Sequence, residues 1–107
     1  MKINISYKNI TSDSPLEVFI QEKIGGLEKF TGKDDQVEAR VELGLPSKHH
    51  RSGDIFYAEV NLIIGGKLFR ATCQDEDIRT AIVEVKNELQ KQINKFKDKK
   101  RDQSRHV

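Results

Sequence analysis

Along the last third of the chain, from Asp77 to Arg101, apolar side chains stand at Ile78, Ile82, Val85, Leu89, Ile93 and Phe96. That i, i+3, i+4 spacing predicts a helix with one buried stripe, which must pack on something. Near the start, Ile3, Ile5 and Tyr7 alternate with Lys2, Asn4, Ser6 and Lys8, the period of two expected of a strand with one buried face. Thr11-Ser12-Asp13-Ser14 supplies candidate N-caps, and Pro15 suits a first helical turn, where the N–H it lacks has no partner anyway. A helix follows with Leu16, Phe19, Ile20, Ile24, Leu27 and Phe30 inward. Gly25-Gly26 conflicts with it at about 1 kcal/mol per Gly relative to Ala, so the helix either bends there or is held by tertiary packing. Gly32 is placed at its exit.

After the polar connector Lys33-Asp34-Asp35-Gln36, Val37, Ala39, Val41 and Leu43 face one way and Glu38, Arg40 and Glu42 the other, a second strand. Gly44 to Gly53, with Pro46 and the polar run Ser47-Lys48-His49-His50-Arg51-Ser52, reads as an exposed connection. A third strand runs from about Ile55 to Ile64 with Phe56, Ala58, Val60, Leu62 and Ile64 inward. Gly65-Gly66 makes a tight hairpin into a fourth strand that turns Phe69, Ala71 and Cys73 inward. Asp75-Glu76-Asp77 opens the long helix with acids where the helix dipole favours them. The order is β-α-β-β-β-α. A single α+β domain, a four-stranded sheet with two helices packed on one face, satisfies every apolar stripe and leaves the other sheet face wet. The domain takes residues 1 to 100, and residues 101 to 107 form a short charged tail expected to fray beyond Lys100.

With 36% hydrophobic and 34% charged residues among 107 and a mean hydropathy of −0.66, the core is small and the shell heavily charged. The net charge of +2 is unevenly spread: Arg79 to Val107 carries nine Lys/Arg against four Asp/Glu, a net of +5, and residues 1 to 78 carry −3. A basic helix on a mildly acidic body suits a polyanionic partner. Cys73 is the only cysteine, which excludes an internal disulfide and a four-cysteine zinc site. No apolar run is long enough to cross a membrane and the N-terminus lacks a signal-peptide core, so a cytoplasmic protein with no membrane partner is expected. A monomer is expected as well.

At about 100° per residue, Arg79, Lys86 and Lys97 line one flank of the long helix's apolar stripe, and Lys91, Lys95 and Lys99 line the other. Two readings stand open. Contact with several phosphates gives an affinity that falls steeply with salt and carries little sequence information. A solvated face carries mixed charge equally well, and Glu84 and Glu88 fit that. Lys23 and Lys29 extend the basic surface if the two helices lie side by side, although Glu22 and Glu28 dilute it.

His49-His50 beside Arg51 lacks the i, i+2 or i, i+4 spacing that turns two rings onto one ion, and His106 is in the tail. No metal is expected there; a phosphate contact from the loop is the alternative. Asp75-Glu76-Asp77 is explained as a cap, Cys73 as an inert thiol on the inward register, and Gly65-Gly66-Lys67 as a hairpin without the rest of a phosphate loop. No nucleophile, base and oxyanion site come together, so no enzyme, small-molecule substrate or cofactor is expected.

Several segments recur in a telling order. Lys23-Ile24 and Leu27-Glu28-Lys29-Phe30 close the first helix, Tyr57-Ala58-Glu59-Val60 lies in the third strand, and Asp77 with Ala81-Ile82 opens the second helix. Leu89-Gln90-Lys91-Gln92-Ile93-Asn94-Lys95-Phe96-Lys97-Asp98-Lys99 follows. Together they resemble the ribosome hibernation-promoting factor and ribosome-associated inhibitor A family, once called sigma-54 modulation proteins, over nearly the whole chain. The resemblance implies a β-α-β-β-β-α domain in the mRNA and tRNA channel of the small ribosomal subunit, covering the A and P sites. Its basic helices would contact 16S ribosomal RNA and block translation in starved or stationary cells. The implied partners are the 30S subunit and the 70S ribosome.

Lys23, Lys91, Lys95 and Lys99 stand where that family has basic surface residues, Lys86 and Lys97 are additions, and Lys29 and Arg79 complete the candidate rRNA-binding set. Glu88 stands where the family usually has Lys, Gly26 where Lys is common, and Arg79 where an aromatic is usual. The resemblance is to the family's short type, so no further C-terminal domain is expected. Two other classes stay in view. A regulatory module for a non-ribosomal protein partner would use the open sheet face. A general double-stranded RNA binder would share the later α-β-β-β-α order, but His49 to Gly53 and the start of the second helix lack that module's paired contact motifs.

Overall fold

A computed structural model describes residues 1–32, 35–45 and 55–105, with side chains as far as Arg101. The chain runs β1 (Lys2–Lys8), α1 (Ser14–Gly25), a 3-10 helix (Gly26–Phe30), β2 (Val37–Gly44), β3 (Phe56–Ile64), β4 (Lys67–Asp75) and α2 (Ile78–Arg105). The strands stand in the order β1-β2-β3-β4. β1 pairs parallel with β2, so the chain must travel the length of the sheet between them, and α1 with the 3-10 helix makes that crossing. The other two pairings are antiparallel. Gly65 and Gly66 turn β3 into β4 at φ +54° and +85°, a left-handed pair that glycine adopts without steric cost and that matches the strand twist. The Gly65 N–H donates to the Gln36 carbonyl at 3.0 Å, tying the hairpin to the entry of β2.

Both helices lie on one sheet face. Leu16, Ile20, Ile24 and Leu27 from the first helical segment and Ala81, Ile82, Val85, Leu89 and Ile93 from α2 meet the inward residues of β2, β3 and β4 in one buried cluster. Each large aliphatic side chain removed from water contributes about 1.5–3 kcal/mol, so α2 is held mainly by its stripe. Asp13 caps α1, accepting the Leu16 N–H at 2.7 Å. Asp77 caps α2 rather than starting it: its carboxylate accepts the Arg79 N–H at 3.0 Å and the Thr80 hydroxyl at 3.1 Å. Asp75 in turn accepts the Asp77 N–H at 2.8 Å.

Of the two outcomes open at Gly25-Gly26, the helix changes form: α-helix gives way there to a 3-10 turn, with both residues in ordinary right-handed conformation. Cys73 and Ile64 face inward as expected, half-buried against the core cluster, and Phe56 is half-buried as well. α2 is helical past Lys100, as far as Arg105. Its 28 residues span about 42 Å, more than nine-residue strands can cover, so its last turns pass beyond the sheet. Phe96, expected inward, is therefore 37% exposed. The run Lys48-His49-His50-Arg51 and His106 lie outside the described residues.

The open sheet face is a lattice of charge. Glu42 and Glu59 sit opposite each other on β2 and β3, a repulsive pair offset by Lys8, 2.9 Å from Glu42, and by Arg70, which holds Glu59.

Candidate nucleic-acid interface

α1 and α2 lie side by side, and aromatic rings on α1 and the 3-10 helix carry cations along their seam. The Arg79 guanidinium lies 5.6 Å from the centroid of Phe19, and Lys23 Nζ is also 5.6 Å from that ring. Lys29 Nζ stands 5.2 Å from the centroid of Phe30. Residues far apart in the chain are thus brought together by a ring that is apolar on the core side and electron-rich on its face. Lys86 lies two turns beyond Arg79 on the same flank of α2, half-buried, its Nζ 3.4 Å from Asn87 Oδ1. Lys97 follows three turns later, beside Phe30 and Phe96. No Asp or Glu interrupts this flank, which reads Arg79, Ile82, Lys86, Gln90, Ile93, Lys97 and Lys100.

The opposite flank of α2 faces β4. The Cys73 thiol donates to Glu84 Oε2 at 2.7 Å, and Gln92 Nε2 donates to the Arg70 carbonyl at 2.9 Å, occupying a backbone acceptor on the sheet's edge. Glu84 and Glu88 make the first half of this flank acidic, and the exposed Lys91, Lys95 and Lys99 make the second half basic. The structure therefore divides the eight candidates. Lys23, Lys29, Arg79, Lys86 and Lys97 gather along the seam, whereas Lys91, Lys95 and Lys99 stand apart on the β4 side.

Among the described residues none of the eight is in an ion pair. The sheet face differs: Lys8 holds Glu42, Arg40 Nε is 3.3 Å from Glu38, and Arg70 holds Glu59. The Arg70 hydrogen bond, helped by the Tyr57 hydroxyl, keeps the Glu59 carboxyl below its ordinary range against the opposing effect of burial. Burial first, and then the Glu84 carboxylate, push the Cys73 thiol up to about 11, so it stays protonated and a poor nucleophile.

Lys67 escaped the sequence reading. Its Nζ lies 4.7 Å from the centroid of Phe96 and 5.7 Å from that of Phe69. The signal was a lysine directly after the Gly-Gly turn, next to the end of both aromatic stripes. Among the described residues no three His, Cys, Asp or Glu side chains are grouped to hold a metal, and no helix is long and apolar enough to cross a membrane.

Two curated relatives resemble this chain along most of its length. The ribosome hibernation promotion factor of Bacillus subtilis is 30% identical over 99 residues, covering 92% of this chain and 50% of that protein. The ribosome hibernation promotion factor of Lactococcus lactis subsp. cremoris is 27% identical over 97 residues, covering 91% and 50%. The chain spans about half the length of the curated relatives it matches. The crystal structure of the Thermus thermophilus Protein Y N-terminal domain superposes with a TM-score of 0.74 at 23% identity, covering 90% of this chain and 99% of that domain. A ribosomal subunit interface protein from Coxiella burnetii gives 0.70 at 14% identity, covering 92% and 99%. These two establish the fold. Residues 3–101, from the first strand into the last helix, match the family described as Sigma 54 modulation protein / S30EA ribosomal protein, and the chain belongs to that family.

Proposed function

We propose that this chain is a non-enzymatic, cytoplasmic hibernation factor that binds the 30S subunit and the 70S ribosome as a monomer. It inhibits translation by occupying the mRNA and tRNA channel. The observation that carries the reading is the seam between α1 and α2, where Arg79, Lys23 and Lys29 lie over aromatic rings rather than on carboxylates. Such cations meet phosphates without first releasing a partner, and each contact frees condensed counterions. Lys23, Lys29, Arg79, Lys86 and Lys97 face the 16S rRNA, with Lys91, Lys95 and Lys99 as contacts from the β4 side. The guanidinium of Arg79, beside Phe19 and in no ion pair among the described residues, has the forked N–H edge that suits a bidentate grip on a phosphate.

Sucrose-gradient sedimentation with purified small subunits tests this. The protein is expected to travel with 30S and 70S particles at low salt, to be released as salt rises, and to be excluded by mRNA and tRNA bound beforehand. Unchanged binding in the presence of mRNA and tRNA would remove the channel from the reading. A second reading, a module for a non-ribosomal protein, draws on Leu68, 57% exposed on the open sheet face next to Ile63. A partner retained after nuclease treatment and lost in Leu68→Glu would favour it.

A further inference from the structure

Where the 3-10 helix, the β3–β4 hairpin and the later turns of α2 converge, they enclose a cleft of about 320 Å³. Phe30, Phe69 and Phe96 form its apolar wall, Lys67 and Lys97 border it, and Asp35 is the acid that lines it. Phe96 is the unusual member. It is 37% exposed, yet it is held by Phe69 in an edge-to-face contact with centroids 5.8 Å apart and planes at 75°. A ring fixed by a second ring and still open to solvent offers a stacking surface that needs little ordering. Lys67 Nζ stands over the same ring, 4.7 Å from its centroid, so one face already carries a cation and a base stacks on the other.

A flat π-system joined to a phosphate is the chemistry of a nucleotide. We infer that this cleft takes one unpaired nucleotide of an RNA chain, its base against Phe96 and its phosphate on Lys67 and Lys97. The inference rests on the ribosomal RNA reading above for the source of the nucleotide. The volume lies at the lower end of ligand sites, roughly 300–1,000 Å³, which suits one nucleotide and not a helical segment. A base within a duplex has both faces covered, so the occupant is unpaired. Asp35 fixes the polarity: its carboxylate, accepting the Gly32 N–H at 3.0 Å, repels a phosphate and accepts N–H donors from a base edge.

Fluorescence anisotropy with two labelled RNA pentamers, one with mixed bases and one abasic throughout, reads the base contribution directly. The full chain is expected to bind the base-bearing pentamer at least about fivefold tighter. Phe96→Leu, which keeps an aliphatic contact with Phe69 and loses the ring face, should erase that difference, and Lys67→Gln should weaken both pentamers alike. If Phe96→Leu lowers the melting temperature markedly, Phe30→Leu replaces it with the same expected loss. Equal binding of the two pentamers by the unaltered chain, or a difference that survives both Leu variants, overturns the inference. A free nucleoside monophosphate that competes at the pentamer's own concentration overturns the RNA source. Arg79→Glu with Lys86→Glu should weaken small-subunit binding about 100-fold and leave the preference for bases intact, so failure of the cleft and failure of the ribosomal reading are told apart.

Discussion

On the sheet face Lys8, Arg40 and Arg70 each hold a carboxylate, whereas on the helical face Lys23, Lys29 and Arg79 lie over the rings of Phe19 and Phe30. The two faces show why net charge is a poor guide to function. A cation paired with a carboxylate must give up that partner before it meets a phosphate, and the exchange gains little. A cation on a ring is positioned without being neutralised, because the ring attracts it through a quadrupole and leaves its charge and most of its donors in place. The sheet face uses charge to satisfy its own strands. On the helical face Lys23, Lys29 and Arg79 are in no ion pair among the described residues.

The largest expected effect breaks this contrast at the seam. Arg79→Glu with Lys86→Glu should weaken small-subunit binding about 100-fold at moderate salt and flatten the dependence of log K on log salt by about two units, as lost phosphate contacts require. Arg40→Glu on the sheet face should stay within threefold in the same titration. An equal loss from Arg40→Glu would mean that the sheet face, not the helical face, meets the RNA.

Next comes stability on the sheet face. Glu59 accepts Arg70 Nε at 2.8 Å and the Tyr57 hydroxyl at 3.2 Å, so Glu59→Ala should cost about 1–2 kcal/mol in denaturant melts without changing RNA affinity. The pH dependence has a definite sign. Because Glu59 titrates lower in the folded chain, its contribution is fully present above the unfolded value of about 4.3 and is lost as pH falls through the folded value. Glu59→Gln should flatten that acid limb.

How much of this was legible beforehand depends on the range of the interaction involved. The inward set of β2 follows from unbroken alternation between Val37 and Leu43, and the buried stripe of α2 from its period, since both patterns are local. The parallel pairing of β1 with β2 was not legible, because alternation tells a strand which face is buried and nothing about its neighbour. A helical wheel likewise draws two basic rails of equal standing. Only tertiary contacts distinguish them: Arg79 on Phe19 marks the α1 side, and Glu84 at Cys73 with Gln92 at Arg70 marks the β4 side. Phe96 shows the opposite failure. Its period is correct, but periodicity does not know where the sheet ends.

A smaller effect should strengthen the seam. Gly26 has φ −62° and nothing within 4 Å of where a Cβ would stand, so a side chain fits there without strain. Gly26→Lys should raise stability by about 0.5 kcal/mol through the unfolded chain's lost freedom. It should also tighten RNA binding about two- to fivefold by adding a cation close to Lys23 and Lys29. Thermal melts and anisotropy titrations read the two effects separately, and Gly26→Ala should reproduce only the first.

The smallest expected change is the one that best separates the two sides of α2. Glu88 lies on the β4 flank, where the Gln92 amide approaches it at 3.4 Å, and it interrupts what would otherwise be a basic run into Lys91, Lys95 and Lys99. If phosphates are gripped mainly along the seam with α1, Glu88→Lys alters only the distant field, which salt screens within about 8–10 Å. Binding should then change by less than about twofold, with the same salt slope. A tenfold gain, with the slope steeper by about one unit, would move the main contact to the β4 side and make Lys91, Lys95 and Lys99 its centre. The acid at position 88 would then be a brake on affinity rather than a bystander.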